Sequence, residues 1–258
     1  MFGINTVHAA SEGISVKLSP YVVGEVFGIP ITATLITTWL TMTALILLVA
    51  VLRPQIKMIP GKLQSSMEVV VGGVYDYMSD VLESREVARR YFPVVATIFF
   101  FILALNWVGL LPGVTSIGFY QGQGESSHFV PFLYPAATDL NITIAFAIIA
   151  FFTIEIAGVL ALGLFKYTSK FINFSSPLKF VIGIIELISE LARLISFSFR
   201  LFGNIFAGKT LLLVVMFFVP YLVPVPLIAF EVFVGFIQAF VFAILTLFFI
   251  KLAMEAPH

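Results

Sequence analysis

Long stretches without a charged side chain alternate with short basic or polar breaks along this chain, and that pattern predicts membrane-spanning helices. The first apolar run covers residues 31–52 and closes at Arg53-Pro54, where proline cannot continue a regular helix. About 20 residues at ~1.5 Å each cross a hydrocarbon core ~30 Å thick, so this run is expected to be span one. Residues 62–90 read differently. Leu63, Met67, Val70, Val71, Val74, Met78, Val81 and Leu82 return every three or four positions with charges between them, which predicts an amphipathic helix in the membrane interface. Span two is expected over residues 91–111, closed by Pro112-Gly113, and span three over 140–165, closed by Lys166, with a polar, glycine-rich loop at 118–127 between them. Residues 178–219 and 225–254 would be ~60 Å and ~45 Å long as helices, more than one perpendicular crossing needs. Only a short proline-bearing break at 220–226 separates them, so they predict a helical hairpin strongly tilted to the membrane normal.

Composition agrees. Of 258 residues, 60% are hydrophobic and 11% charged, with a mean hydropathy of +1.09, against roughly 45–50% apolar and 25% charged in soluble domains. The expectation is an all-α membrane protein with about five transmembrane helices plus one interfacial helix, folded as a single membrane domain over residues 1–258. Residues 1–30 form an outer N-terminal segment in this reading, and their opening, MFGINTVHAASEG, lacks the basic and apolar regions of a signal peptide. A formal net charge of zero favours no nucleic acid partner. The absence of cysteine excludes disulfides and thiolate metal sites; no metal and no cofactor is expected.

Basic residues set the expected orientation. Arg53, Lys57, Lys62, Arg85, Arg89 and Arg90 lie between spans one and two, Lys166, Lys170 and Lys179 follow span three, and Lys251 is near the C-terminus. The other connections carry none, and Lys17 stands alone on the opposite side. By the positive-inside rule the N-terminus is outside and the C-terminus cytoplasmic.

Arg193, Arg200 and Lys209 lie within the fourth apolar run. A central arginine costs ~2.5–3.5 kcal/mol even on insertion scales, so it is expected to face protein or a water-filled cavity. At ~100° per residue, Glu186, Arg193, Ser196, Arg200 and Asn204 fall within about 40° of one line, a single polar stripe. Glu190 is roughly 80° off that line, and Lys209 is roughly opposite Arg200. Glu231 and Gln238 share a face of the last helix, as do Asn141 and Glu155 on span three, with Asp139 at its outer mouth in helix-cap position. Such rows suit water files or ion paths; interhelical hydrogen bonding is the plainer reading. Arginine keeps its proton and cannot relay one, but as a fixed charge ~4 Å from a carboxylate it favours the ionised form by ~4 kcal/mol at an effective dielectric near 20. A mobile acid passing Arg200 would therefore lose its proton, and a continuous proton wire would be blocked.

Residues 203–210 read GNIFAGKT and match the phosphate-loop pattern G-x-x-x-x-G-K-[ST]. That loop works between a strand and a helix, where glycines expose backbone N–H groups to phosphate. Here an apolar helix surrounds it at bilayer depth, so no nucleotide site is expected. Gly203 and Gly208 are better read as small residues that let helices approach.

The segment SFSFRLFGNIFAG (196–208), followed by FIQAFVFAILTLFFI (236–250), with NWVGLLPG (106–113) and TDLNITIAFA (138–147) upstream, resembles subunit a of F-type ATP synthases in its bacterial form. The resemblance covers most of the chain and weakens before residue 31. It implies a non-catalytic stator subunit of the bacterial plasma (inner) membrane that offers two offset half-channels to a rotating c-subunit ring. It further implies a b-subunit peripheral stalk and the rest of the ATP synthase complex as partners, and H⁺ or Na⁺ as the translocated ion. Arg200 matches the family's essential arginine, which meets the ring carboxylate. Asn204 and Gln238 match polar residues beside it, and Ser196 and Glu186 match positions on the inner path. Glu231 matches a histidine or glutamate position toward the outer half-channel. Lys209 departs from the family pattern, which leaves open whether it and Glu231 form a compensating ion pair. Asn141, Asp139, Glu155 and Asn106 are secondary channel candidates. The competing reading is a self-contained secondary ion-coupled transporter, which should show internal repeats and paired helix breaks; neither is present.

Overall fold

The computed structural model describes residues 19–57, 60–121, 128–171 and 176–255. Lys17 and the opening of the N-terminal segment lie outside these, as does most of the loop expected at 118–127. Among the described residues five helices are long and apolar enough to cross a membrane: α1 (Ala33–Leu52), α3 (Arg85–Val108), α4 (Leu140–Leu162), α6 (Pro177–Phe218) and α7 (Pro224–Met254). The all-α membrane architecture read from the apolar runs is thus the architecture observed.

The described residues before α1 include a hairpin. Val22–Val26 (β1) and Ile29–Thr32 (β2) pair as an antiparallel hairpin, and β2 runs straight into α1, whose N-cap, Thr32, accepts a hydrogen bond from Leu35 N at 3.2 Å. A second hairpin, β3 (Gly118–Gln121) with β4 (His128–Pro131), links α3 to α4. Both sit at the ends of spans, and the turn residues Phe27 and Gly28 supply the positive φ that a tight hairpin requires.

The expected interfacial helix over 62–90 breaks earlier than predicted. Helix α2 covers Lys62–Leu82, and Glu83 turns left-handed (φ 53°). Ser84 then caps α3, accepting from Val87 N at 3.4 Å. Arg85, Arg89 and Arg90 are consequently the first turns of span two, not the end of the amphipathic helix. The apolar stripe of α2 also packs on protein: Met78 and Leu82 are buried in one cluster with Tyr91, Val95, Ile154 and Leu247.

Small residues bring α3, α4, α6 and α7 together, with Ala147, Ala150 and Ala239 fully buried at their contacts. Aromatic side chains fill the remaining space; the Phe197 ring lies 4.9 Å from that of Phe242 and 5.8 Å from that of Phe249. Side-chain hydrogen bonds to backbone pin α3 on α7: Asn106 Nδ2 donates to Gly235 O at 3.0 Å and Trp107 Nε1 to Val232 O at 3.1 Å. Helix α6 is continuous through 42 residues, ~63 Å by helical rise, and α7 through 31, ~46 Å. Their connection is residues 219–223, with Leu222 left-handed at φ 59° and Pro224 opening α7. Because α6 is unbroken, GNIFAGKT sits wholly in helix and has no loop with which to cradle phosphate.

Candidate ion-translocation site

Polar groups inside the bundle cluster along α6. Arg200 is half-buried, and Ser196 Oγ is its hydrogen-bond acceptor at a long 3.4 Å. Its guanidinium lies 6.0 Å from the Phe197 ring centroid. Among the described residues no carboxylate comes within 4.0 Å of it. Phe199 (54% exposed), Asn204 and Ala207 on the neighbouring surface of α6 are uncovered, and a Cβ at Gly203 would meet nothing within 4 Å. One turn beyond Arg200, Asn204 Nδ2 donates to Gln238 Oε1 at 2.6 Å, joining α6 to α7.

Arg193, on the same predicted stripe, has a different environment. It pairs with buried Glu190 one turn away and stacks 3.8 Å from the Phe249 ring centroid. Lys170, from the segment after the short helix α5 (Leu164–Thr168), reaches Glu186 at 2.7 Å and Glu190 at 3.7 Å. Glu186 is therefore held by a lysine and does not extend the stripe to Arg200 as a free carboxylate. Beside this network Tyr167 donates to Glu155 Oε2 at 3.0 Å. Burial, followed by the charge of Glu155, pushes the Tyr167 hydroxyl well above its ordinary range. Glu190, Lys170 and Tyr167 were missed as participants. A helical wheel orients each residue only on its own helix, and Lys170 arrives from another element.

Two cavities flank the Arg200–Asn204–Gln238 level. One, of ≈ 290 Å³, is lined by Asn106, Thr115, Ser116, Gly208, Lys209 and Glu231 among others, on the side of the 219–223 turn. The other, of ≈ 320 Å³, is lined by Ser189, Arg193, Ser196, Phe197, Arg200 and Phe249. From Gly208 to Arg200 is eight residues, ~12 Å along α6, and from Arg200 to Ser189 is ~16 Å in the other direction. The cavities therefore approach Arg200 from opposite ends of the helix.

Lys209 and Glu231 share the first cavity but form no ion pair, which answers the question the sequence left open. The cause is the rotation of the two helices: a Cβ on Gly208 would run into the Glu231 carboxylate, so Glu231 lies against Gly208. Lys209, ~100° further round α6, places its ammonium 5.5 Å from the Tyr134 ring centroid instead. Burial pushes the Tyr134 hydroxyl up to about 12, with neighbouring Tyr21 adding to the shift. Asn106 lines the same cavity, and its Oδ1 is buried without a hydrogen-bond partner, as is Gln238 Nε2.

The remaining candidates do not form one file. Asp139 is buried, caps α4 through Asn141 N at 3.0 Å and accepts from Thr34 on α1 at 2.8 Å, so it ties span one to the bundle. Asn141 Nδ2 also donates to Asp139 at 3.0 Å. Glu155, at the far end of α4, belongs with Tyr167, and the shared face of Asn141 and Glu155 is not a continuous polar row.

The sequence pattern of the ATP synthase A chain family matches residues 35–251. ATP synthase subunit a 3 of Pelobacter propionicus is 34% identical over 223 residues, 86% of this chain and 87% of the relative. Subunit a of Geotalea daltonii is 34% identical over 225 residues, with 86% and 87% covered, and that of Geobacter sulfurreducens 33% over 224 with the same shares. With the five spans, the long helical pair and the arginine-bearing α6, these matches establish that the chain belongs to the ATP synthase subunit a family, a non-catalytic, multi-pass membrane subunit of that complex.

Proposed function

We propose that this chain is the proton-conducting stator subunit of the membrane motor of an F-type ATP synthase, with Arg200 set against the carboxylate of a rotating c-subunit ring. The observation that carries the reading is the unmatched charge of Arg200. An arginine at bilayer depth is costly unless it meets an acid or water, and among the described residues this chain supplies it no carboxylate. The uncovered side of α6 beside it, with Phe199, Asn204 and Ala207, is where such an acid would arrive.

The two cavities act as offset half-channels in this reading. The one at Asn106, Lys209 and Glu231 opens toward the outside, and the one at Ser189, Ser196 and Arg200 opens toward the cytoplasm, with the Lys170-paired Glu186 about one turn of α6 beyond Ser189. A protonated ring carboxylate approaching Arg200 gives up its proton because the guanidinium stabilises the ionised acid, by ~4 kcal/mol at ~4 Å and an effective dielectric near 20. The fixed charge also keeps a proton from passing straight between the half-channels, so flow requires rotation. An elementary charge crossing 100 mV carries ~2.3 kcal/mol, which makes several ions per ATP necessary. Partners in this account are the c ring, a b-subunit peripheral stalk and the remainder of the synthase, in a bacterial inner membrane with the N-terminus outside and the C-terminus cytoplasmic.

The chain has no cysteine, so Ala207→Cys gives this subunit one thiol on the uncovered face. Paired with a cysteine beside the ring carboxylate in the intact complex, it should form a disulfide on mild oxidation. The c ring should also co-purify with the wild-type chain. A chain that purifies alone and transports ions unaided would be a secondary carrier and would end this reading.

A further inference from the structure

The hairpin β1–β2 ends in a side chain that water alone does not explain. Phe27 is 100% exposed, and Val26, Ile29 and Val22 beside it are 50%, 67% and 40% exposed. Phe27 also adopts the left-handed region at φ 52°, next to Gly28 at φ 79°. Two-residue hairpin turns with positive φ ordinarily take Asn, Asp or Gly, because a bulky side chain is strained there. A two-stranded hairpin is marginal in water without a covered apolar face, yet this one keeps a strained aromatic at its tip.

Its position says what covers it. Thr32 is both the last residue of β2 and the N-cap of α1, so no linker separates the hairpin from a span whose outward face presents Trp39, Leu40 and Met42. Five residues at ~3.4 Å each keep Phe27 within ~17 Å of the start of that span. The hairpin contains no lysine or arginine and one acidic residue, Glu25, which removes electrostatic attraction to anionic lipid and leaves apolar insertion. β1 also touches β4 of the second hairpin, where Tyr120 is 75% exposed. Tyrosine collects where headgroups meet acyl chains, and phenylalanine is among the side chains that interfacial anchors bury at that boundary.

We propose that the β1–β2 tip, centred on Phe27, inserts into the headgroup–acyl boundary of the bilayer and anchors the outer end of span one; only the word outer rests on the orientation proposed above. The test uses the intact complex carrying Phe27→Cys, labelled with an environment-sensitive fluorophore in phosphatidylcholine liposomes, with the cysteine-free subunit as background. The expected result is a blue-shifted emission, quenched by lipids bearing a nitroxide near the top of the acyl chain, insensitive to iodide in the buffer and unchanged by added salt. Quenching by iodide without nitroxide quenching would place the tip in water and overturn the proposal. Protection from both quenchers would place it under protein and overturn it equally. Ile29→Cys repeats the measurement should Phe27→Cys fail to assemble. A membrane-impermeant maleimide reads the side of the membrane separately, so an inward-facing tip that still shows nitroxide quenching would refute the orientation and leave the anchor standing.

Discussion

Arg193 and Arg200 lie seven residues apart on one face of α6, and their surroundings could hardly differ more. Arg193 is neutralised within the chain: Glu190 pairs with it, Lys170 balances Glu186 and Glu190, and the Phe249 ring covers the guanidinium plane. Arg200 has a distant serine hydroxyl and an uncovered helix face. The contrast separates two ways of placing a cation in a membrane. A charge matched at home serves the fold, whereas a charge left unmatched points to an acid on another protein. It follows that the two arginines should fail differently when removed.

Arg193→Gln leaves Glu190 buried beside Lys170 at 3.7 Å alone. Breaking a buried pair from one side costs ~3–5 kcal/mol, so the amount of subunit in membranes, read by immunoblot, should fall sharply. The double change Arg193→Gln with Glu190→Gln removes both charges and should restore most of it. Failure of the double to recover would show that the pair is more than a local charge balance.

A smaller loss is expected at the other cavity. Gly208→Ala forces the Glu231 carboxylate aside, and overpacking of this kind costs roughly 1–3 kcal/mol. The complex should still assemble, with a lowered thermal midpoint and reduced ATP-driven pumping. An unchanged midpoint and unchanged pumping would mean that Glu231 does not rest against α6.

The smallest effect belongs to the exposed Glu83–Lys251 bridge at 2.7 Å. The hydrogen bond from Lys251, and then its charge, hold the Glu83 carboxyl below its ordinary value of 4.5. A lowered folded-state pKa contributes stability above the unfolded value, and that contribution is lost as pH falls through the folded one. Glu83→Gln should therefore narrow the difference between thermal midpoints at pH 7 and below pH 4, slightly, because exposed pairs contribute little. A wider difference in the variant would mean that Lys251 does not stabilise the ionised Glu83 carboxylate.

The spans were legible because hydropathy is local: each apolar run needs no knowledge of its neighbours. The break at Glu83-Ser84 was hidden by the charges of Arg85, Arg89 and Arg90, which read as interfacial although they form the first turns of a span. The β1–β2 hairpin had a signal that went unused, since VVGEVFGIPIT is rich in β-branched residues around Phe-Gly. The resemblance singles out Arg200, Asn204 and Gln238, and the structure brings the latter two into contact. Whether Lys209 and Glu231 pair was not legible, because pairing depends on the mutual rotation of two helices, where one residue is ~100°. It is Gly208, not Lys209, that lies against Glu231.

Arg200 has no carboxylate within 4.0 Å among the described residues, and the proposed partner is an acid on the ring. Arg200→Gln, in inverted membrane vesicles normalised for assembled complex, tests that pairing through ATP-driven proton uptake. The account predicts a normal amount of assembled subunit, since no internal pair is broken, and uptake no greater than background. Normal uptake by that variant would contradict it.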